Sequence, residues 1–373
     1  MRRTRLDPTQ TGHEAEALEV GLRSKVIGQE EAIHQVVEMY QTYLSGMSSP
    51  RRPIANLMFL GPTGSGKTRL VEALADCLLA DSRAIVKIDC AEFQHSHEIA
   101  KLIGSPPGYL GHRETNPLLT QEALDRHHTE KVMMSIVLFD EIEKASDAVW
   151  NLMLGILDKA ILTLGDNSKV DFSRTMVFMT SNVGAREMDA VTKPRLGFTG
   201  AFESRCGMAD VNEACTTEME RSGIEAARRK FTPEFINRID KMVVFRPLSG
   251  TALNRILEIE LNSIQERVLA ANDGPHFVCA FTESGKQFLL CEGTNLEYGA
   301  RHLKRAIDRF IVHPLSSLIA SRQILDGDVI EIDYTPQSGT LTFTRRDEGF
   351  CAPGLARSVN SAAISQVAFA TAS

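Results

Sequence analysis

Apolar residues recur at helical spacing over residues 14–25 and again over 30–44, with Val26-Ile27-Gly28-Gln29 interrupting the two runs. Residues 48–53, rich in Ser, Pro and Arg, read as a turn. Apolar, β-rich runs then follow at 56–60, 84–88, 136–139, 175–180 and 242–245, separated by stretches of helical period. Strands that alternate with helices predict an α/β fold with a mainly parallel five-stranded sheet, since each parallel return needs a crossover connection, normally a helix.

Beyond Arg246-Pro247 the pattern changes. Helical periods near 249–270, 283–291 and 299–320 are joined to short strand-like runs at 277–281, 329–333 and 340–344, which predicts a smaller C-terminal α+β domain. The boundaries expected are a leader with its helix at 1–25, a large α/β domain at 26–246 and the small domain at 247–345. Residues 346–373, rich in Ala and Ser without a clear period, read as a flexible tail.

The 373 residues carry 24% charged side chains and a formal net charge of −7, ordinary for a soluble globular chain and opposite to the basic field of a dedicated nucleic-acid binder. Seven cysteines, an odd number without a C-x-x-C pair, point to reduced thiols and a cytoplasmic location. The charged amino terminus leads into no apolar h-region, and no apolar run approaches the length of a membrane span.

Candidate chemistry begins at Gly61-Pro62-Thr63-Gly64-Ser65-Gly66-Lys67-Thr68. Glycines at these spacings let backbone N–H groups turn inward on a phosphate, the lysine neutralises its charge, and the Thr68 hydroxyl can ligate Mg²⁺. The loop follows the expected strand 56–60 and opens a run of helix formers at 68–80, so the helix dipole faces the anion. These features indicate ATP. Val137-Leu138-Phe139-Asp140-Glu141 is a buried strand ending in paired acids, where Asp140 can hold Mg²⁺ and Glu141 can polarise the attacking water. The pairs His95/His97 and His127/His128 lack the companions of a metal site and read as surface histidines.

With Ile142-Glu143-Lys144-Ala145 after them, these motifs resemble those of the Clp-type AAA+ unfoldases, above all the second ATPase module of ClpB and ClpA. The resemblance covers about residues 20–335 and rests also on Val26-Ile27-Gly28-Gln29-Glu30-Glu31-Ala32, Pro106-Pro107-Gly108-Tyr109-Leu110-Gly111, Val170-Asp171-Phe172-Ser173-Arg174, Thr180-Ser181-Asn182, Phe231-Thr232-Pro233-Glu234-Phe235-Ile236-Asn237-Arg238-Ile239-Asp240 and Gly299-Ala300-Arg301-His302-Leu303-Lys304-Arg305-Ala306. It implies an AAA+ P-loop NTPase with a C-terminal lid domain, assembled as a homo-oligomeric, hexameric ring. By the same resemblance Asn182 is sensor 1, Arg238 the arginine finger acting on a neighbouring subunit's ATP, and Arg301 sensor 2. Val26 and Ile27 would line the adenine pocket.

The family places the aromatic of Gly108-Tyr109-Leu110-Gly111 in the central pore, where Tyr109 and Leu110 would grip polypeptide by apolar contact. Within the polar insert at 184–228, Leu196-Gly197-Phe198 falls where ClpA, ClpC and ClpX carry a tripeptide that docks on the ClpP peptidase. The amino-terminal domain and first ATPase ring of ClpB and ClpA do not fit before Val26, so a single-ring protein is expected, with disaggregation in doubt. Three uses of the ATP stay open here: threading of polypeptide, with or without a peptidase or adaptor; remodelling of one dedicated complex; and DNA-associated regulation.

Overall fold

The structure, a computed structural model, describes residues 11–105, 117–192, 213–271, 274–293, 299–335 and 339–346. Tyr109 and Leu110, the tripeptide Leu196, Gly197 and Phe198, and the expected tail beyond Arg346 lie outside the described residues. The chain divides into two compact units between Ser249 and Gly250.

In the first unit, β1 (Ala55–Leu60), β2 (Val86–Asp89), β3 (Ser135–Asp140), β6 (Thr175–Ser181) and β7 (Lys241–Val244) form one sheet in the order β2-β3-β6-β1-β7. Every ladder in it is parallel. The mainly apolar character of the central runs follows from helices covering both faces. Alternation along β1 divides the core: Leu57 and Phe59 join α1 (His13–Lys25), α2 (Glu30–Leu44) and α3 (Lys67–Leu79), while Met58 and Leu60 join the helix Asp147–Lys159 and the helix Glu213–Lys230. Phe59 is fully buried, with its ring 5.0 Å from Phe245 and 5.6 Å from Phe178. Burial of a side chain this size contributes about 1.5–3 kcal/mol.

α1, set apart in the sequence as part of a leader, packs into this core through Leu18 and Leu22, and Lys25 pairs with Asp76 of α3 at 2.6 Å. β2 begins two residues later than expected because a turn uses Ala84 and Ile85, whose N–H groups donate to Asp81 and Arg83 carbonyls. A short hairpin, β4 (Ile161–Thr163) with β5 (Lys169–Asp171), was not foreseen; at three residues per strand it has too few alternations to register. Helices Ala185–Thr192 and Glu213–Lys230 occupy the two ends of the stretch read as a polar insert.

The second unit places β8 (Val278–Phe281), β9 (Val329–Thr335) and β10 (Thr340–Arg346) in the order β10-β9-β8, with β8 and β9 parallel and β9 and β10 antiparallel. Its helices are Gly250–Ala270, Glu283–Gly293, Ala300–Ile307 and His313–Ala320. The single helix expected over 299–320 is interrupted by a π turn at Asp308–Val312.

Candidate nucleotide site

Because β1, β6 and β3 are neighbours, the segments that leave their carboxyl ends meet: the loop 61–68 after β1, Asp140 at the end of β3 and Asn182 after β6. Glycines make the loop possible. Gly61 has φ +149°, and a Cβ there would stand 2.6 Å from the Phe245 carbonyl oxygen. Gly66, which caps α3, has φ +102° and faces open space where a Cβ would be, leaving the loop accessible to a ligand. Ser65 closes the turn by donating its hydroxyl to Pro62 O at 2.9 Å.

Lys67 is 8% exposed, and its Nζ donates to Gly61 O at 2.7 Å, Pro62 O at 2.9 Å and Asn182 Oδ1 at 2.9 Å. Thr63 reaches the same Asn182 oxygen at 3.4 Å. The opposite end of that amide donates Nδ2 to Glu141 Oε1 at 3.3 Å. Asn182 therefore joins the cation of the loop to the acid after β3, and its own N–H is held by Glu143 at 3.0 Å.

β3 is buried through Phe139 and emerges at Asp140. Asp140 accepts from the Thr180 hydroxyl at 2.5 Å and the Thr68 hydroxyl at 3.4 Å, and pairs with Lys87 at 3.2 Å. A hydroxyl and a carboxylate oxygen on one side of the phosphate loop are the hard oxygen donors that Mg²⁺ takes, so the residues present fit a magnesium nucleotide. Glu141 has φ +57°, a left-handed conformation that costs a non-glycine residue about 1–3 kcal/mol and recurs at functional sites. Its N–H donates to Thr180 Oγ1 at 3.0 Å, and its carboxylate pairs with Lys144 at 2.5 Å. Hydrogen bonding to Glu141 raises the Lys144 ammonium above the ordinary lysine value.

Five residues of this network carried no individual assignment from sequence: Thr180, Glu143, Lys144, Lys87 and Gln29. All but Lys87 sit inside the motif segments, where no local pattern marks them individually. Gln29 is 4% exposed; its Nε2 donates to Ser65 O at 3.1 Å and to Arg246 O at 2.9 Å, tying the segment before α2 to the phosphate loop. A buried glutamine cannot be told from an exposed one by sequence pattern.

Val26 is buried and Ile27 half-buried at the junction of α1 and α2. Arg238 follows the short helix Pro233–Ile236, and its guanidinium turns to Glu234 (carboxylate 3.2 Å, carbonyl 2.8 Å) and Asp158 (3.9 Å) rather than to the loop, Asp140 or Glu141. Asp240, two residues on, pairs instead with Arg52 and accepts from the Asn56 N–H at 2.8 Å. The Arg238 Nε is buried without a hydrogen-bond partner. Arg301 belongs to the second unit, in the first turn of the helix Ala300–Ile307.

His95 and His97 are exposed and stacked, with ring centroids 5.6 Å apart. His128 corrects the surface reading: it is half-buried, with Nε2 2.9 Å from the Ser135 hydroxyl. Among the described residues no group of three or more His, Cys, Asp or Glu could hold a metal ion, and no helix is long and apolar enough to cross a membrane.

Comparison with known proteins follows the same division. Residues 52–242 match the model of the AAA domain (Cdc48 subfamily), and residues 248–332 match that of the C-terminal, D2-small domain of ClpB protein. The chaperone protein ClpB of Rhodopirellula baltica is 38% identical over 85% of this chain and 33% of its own length. The ATP-dependent Clp protease ATP-binding subunit ClpC of Staphylococcus saprophyticus is 36% identical over 89% of this chain and 38% of its own. The chain thus spans about a third of the length of these curated relatives. Among solved structures, the closed state of Hsp104 with ATPγS and FITC casein gives a TM-score of 0.72 at 31% identity, over 89% of this chain and 52% of that one. The Saccharomyces cerevisiae Hsp104:casein complex gives 0.72 at 30% identity, over 90% and 53%. From the loop, the strand order and these matches together, the chain belongs to the AAA domain family, with a small domain of the ClpB D2 type after it.

Proposed function

We propose that this protein is an ATP-driven unfoldase that assembles as a hexameric ring and pulls polypeptide through a central pore. The observation that carries the reading is the Lys67–Asn182–Glu141 relay beside Asp140 and Thr68. Lys67 and the glycine-turned loop bind the phosphates of ATP, while Asn182 and Lys144 fix the carboxylate of Glu141 where a lytic water can be polarised. Thr68 and Asp140 would hold Mg²⁺, which when bound neutralises phosphate charge. Val26 and Ile27 would flank the adenine.

Arg238 acts on the ATP of a neighbouring subunit, a role supported by its turning away from the loop of its own chain. Arg301 reads the nucleotide from the second unit. Tyr109 and Leu110 grip the substrate chain, and Leu196, Gly197 and Phe198 dock a ClpP-type peptidase or an adaptor. A cytoplasmic location is supported by the free thiols of Cys77, Cys90, Cys279 and Cys291.

The test uses three variants. Glu141→Gln should bind ATP and assemble but lose hydrolysis by about 10²- to 10⁴-fold, the range for a general base. An unchanged hydrolysis rate refutes the site. Tyr109→Ala should hydrolyse ATP without unfolding a fluorescent substrate, and retained unfolding refutes threading. Conversion of Phe198 to Ala should abolish co-purification with a ClpP-type peptidase; if the wild-type chain never co-purifies with one under ATP, docking is refuted.

A further inference from the structure

β7 lies at the edge of the five-stranded sheet and, among the described residues, pairs only with β1. The register Leu60↔Val244 and the bond from Phe245 N–H to Leu60 O set its parity. Lys241, Val243 and Phe245 turn their amides toward β1, so those of Met242 and Val244 turn away. Among the described residues no hydrogen bond is made to these outward amides. An edge of this kind is a template for another chain and is usually blunted or covered.

Here it is the floor of a groove. A cavity of about 730 Å³ runs along Lys241, Met242, Val243 and Val244, with Glu31 and Gln35 of α2 on one side and Thr216, Glu220 and Ile224 of the helix Glu213–Lys230 on the other. Gln35 donates Nε2 to Glu31 at 2.9 Å, while its Oε1 is buried without a partner, an acceptor left for an incoming N–H. Of the charges along the groove, Arg246 is matched by Glu220 at 3.0 Å and Lys241 by Glu38 at 3.8 Å, while the exposed carboxylate of Glu31 makes no ion pair among the described residues.

We propose that this groove takes an extended polypeptide segment of a partner protein as a sixth strand on β7, with a basic side chain of that segment against Glu31. Backbone hydrogen bonds to a free edge supply affinity and alternate side chains supply specificity. Arg246 lines the groove and also bonds to Gln29, which holds Ser65 of the phosphate loop, so occupancy of the groove abuts the nucleotide site through one side chain. Its test does not depend on threading.

A dye-labelled, end-blocked six-residue peptide of alternating valine and lysine is titrated against the full chain, with anisotropy as readout and basal ATP hydrolysis measured in parallel. Binding should weaken at least about tenfold, a loss of about 1.4 kcal/mol, when alternate peptide amides are N-methylated or when Gln35→Trp fills the groove. Met242→Pro, which removes one outward N–H from an edge strand, should do the same. Replacing lysine by glutamate in the peptide should also weaken it. Gln35→Trp should keep basal hydrolysis, and Tyr109→Ala should bind the peptide as the wild type does. Should Met242→Pro unfold, Gln35→Trp and the methylated peptide still decide. Absence of binding, indifference to both Gln35→Trp and N-methylation, or loss of binding in Tyr109→Ala overturns the proposal.

Discussion

At the scale of single residues, the site is organised around two small polar side chains rather than around its charges. Asn182 places its carbonyl oxygen on Lys67 and its amide nitrogen on Glu141, so one planar group orients a cation and an anion at once. Thr180 holds the carboxylate of Asp140 and the N–H of Glu141 with a single hydroxyl. Thr180 is 1% exposed, so Thr180→Val leaves that N–H unpaired at a cost of about 1–3 kcal/mol and releases the strained Glu141 backbone. We expect this isosteric change to lower hydrolysis at least tenfold and ATP affinity less, which single-turnover kinetics beside nucleotide titration would measure. Equal losses in both would mean that Thr180 supports only the fold.

At the scale of elements, three adjacent strands end level and deliver their side chains to one place, so the site depends on close backbone approach. Gly61→Ala tests this. Its methyl would press on Phe245 O, which cannot withdraw because the Phe245 N–H is bonded to Leu60. We expect ATP binding to be lost and the melting temperature of the first unit to fall by several degrees, corresponding to about 1–3 kcal/mol of strain. Gln29→Ala should instead leave the fold intact and weaken ATP binding, because it unties the loop without forcing it; a melting curve and a nucleotide titration separate the two. The sequence pattern identified these strands because each run is predominantly apolar. It could not reveal β4 and β5, or the π turn at Asp308–Val312, whose helical side-chain spacing continues through the widened turn.

At the scale of the whole molecule, the placement of Arg238 supports a site completed by a second copy. Arg238→Ala should bind ATP normally and hydrolyse it poorly, with a loss of about 10³- to 10⁵-fold if the arginine acts as a finger. Mixing it with Glu141→Gln subunits should partly restore turnover, since each variant supplies what the other lacks. Absence of rescue at every ratio would argue for a role within one chain. The second unit carries its own pH signature. Burial pushes the Cys279 thiol from its ordinary 9.0 up to about 12. The unfolded state therefore loses this proton first as pH rises, so the stabilising contribution is whole below about pH 9 and is lost through pH 12. Iodoacetamide at pH 8 should modify the exposed Cys291 and spare Cys279 until denaturant unfolds this unit.

The sequence by itself determined the α/β class, the phosphate loop, the paired acids and the order of motifs, because each is a local pattern: a period, a glycine spacing, an apolar run ending in Asp140. Asn182, Arg238 and Arg301 gained meaning only through resemblance, since a lone Asn after a strand or an Arg in a turn has no local signature. Tertiary structure alone decided that Thr180, Lys144 and Gln29 belong to the site, that Arg238 turns to Glu234 and Asp158, and that β7, among the described residues, pairs only with β1. These are relations between segments far apart in the chain, and no window of sequence contains both sides of them.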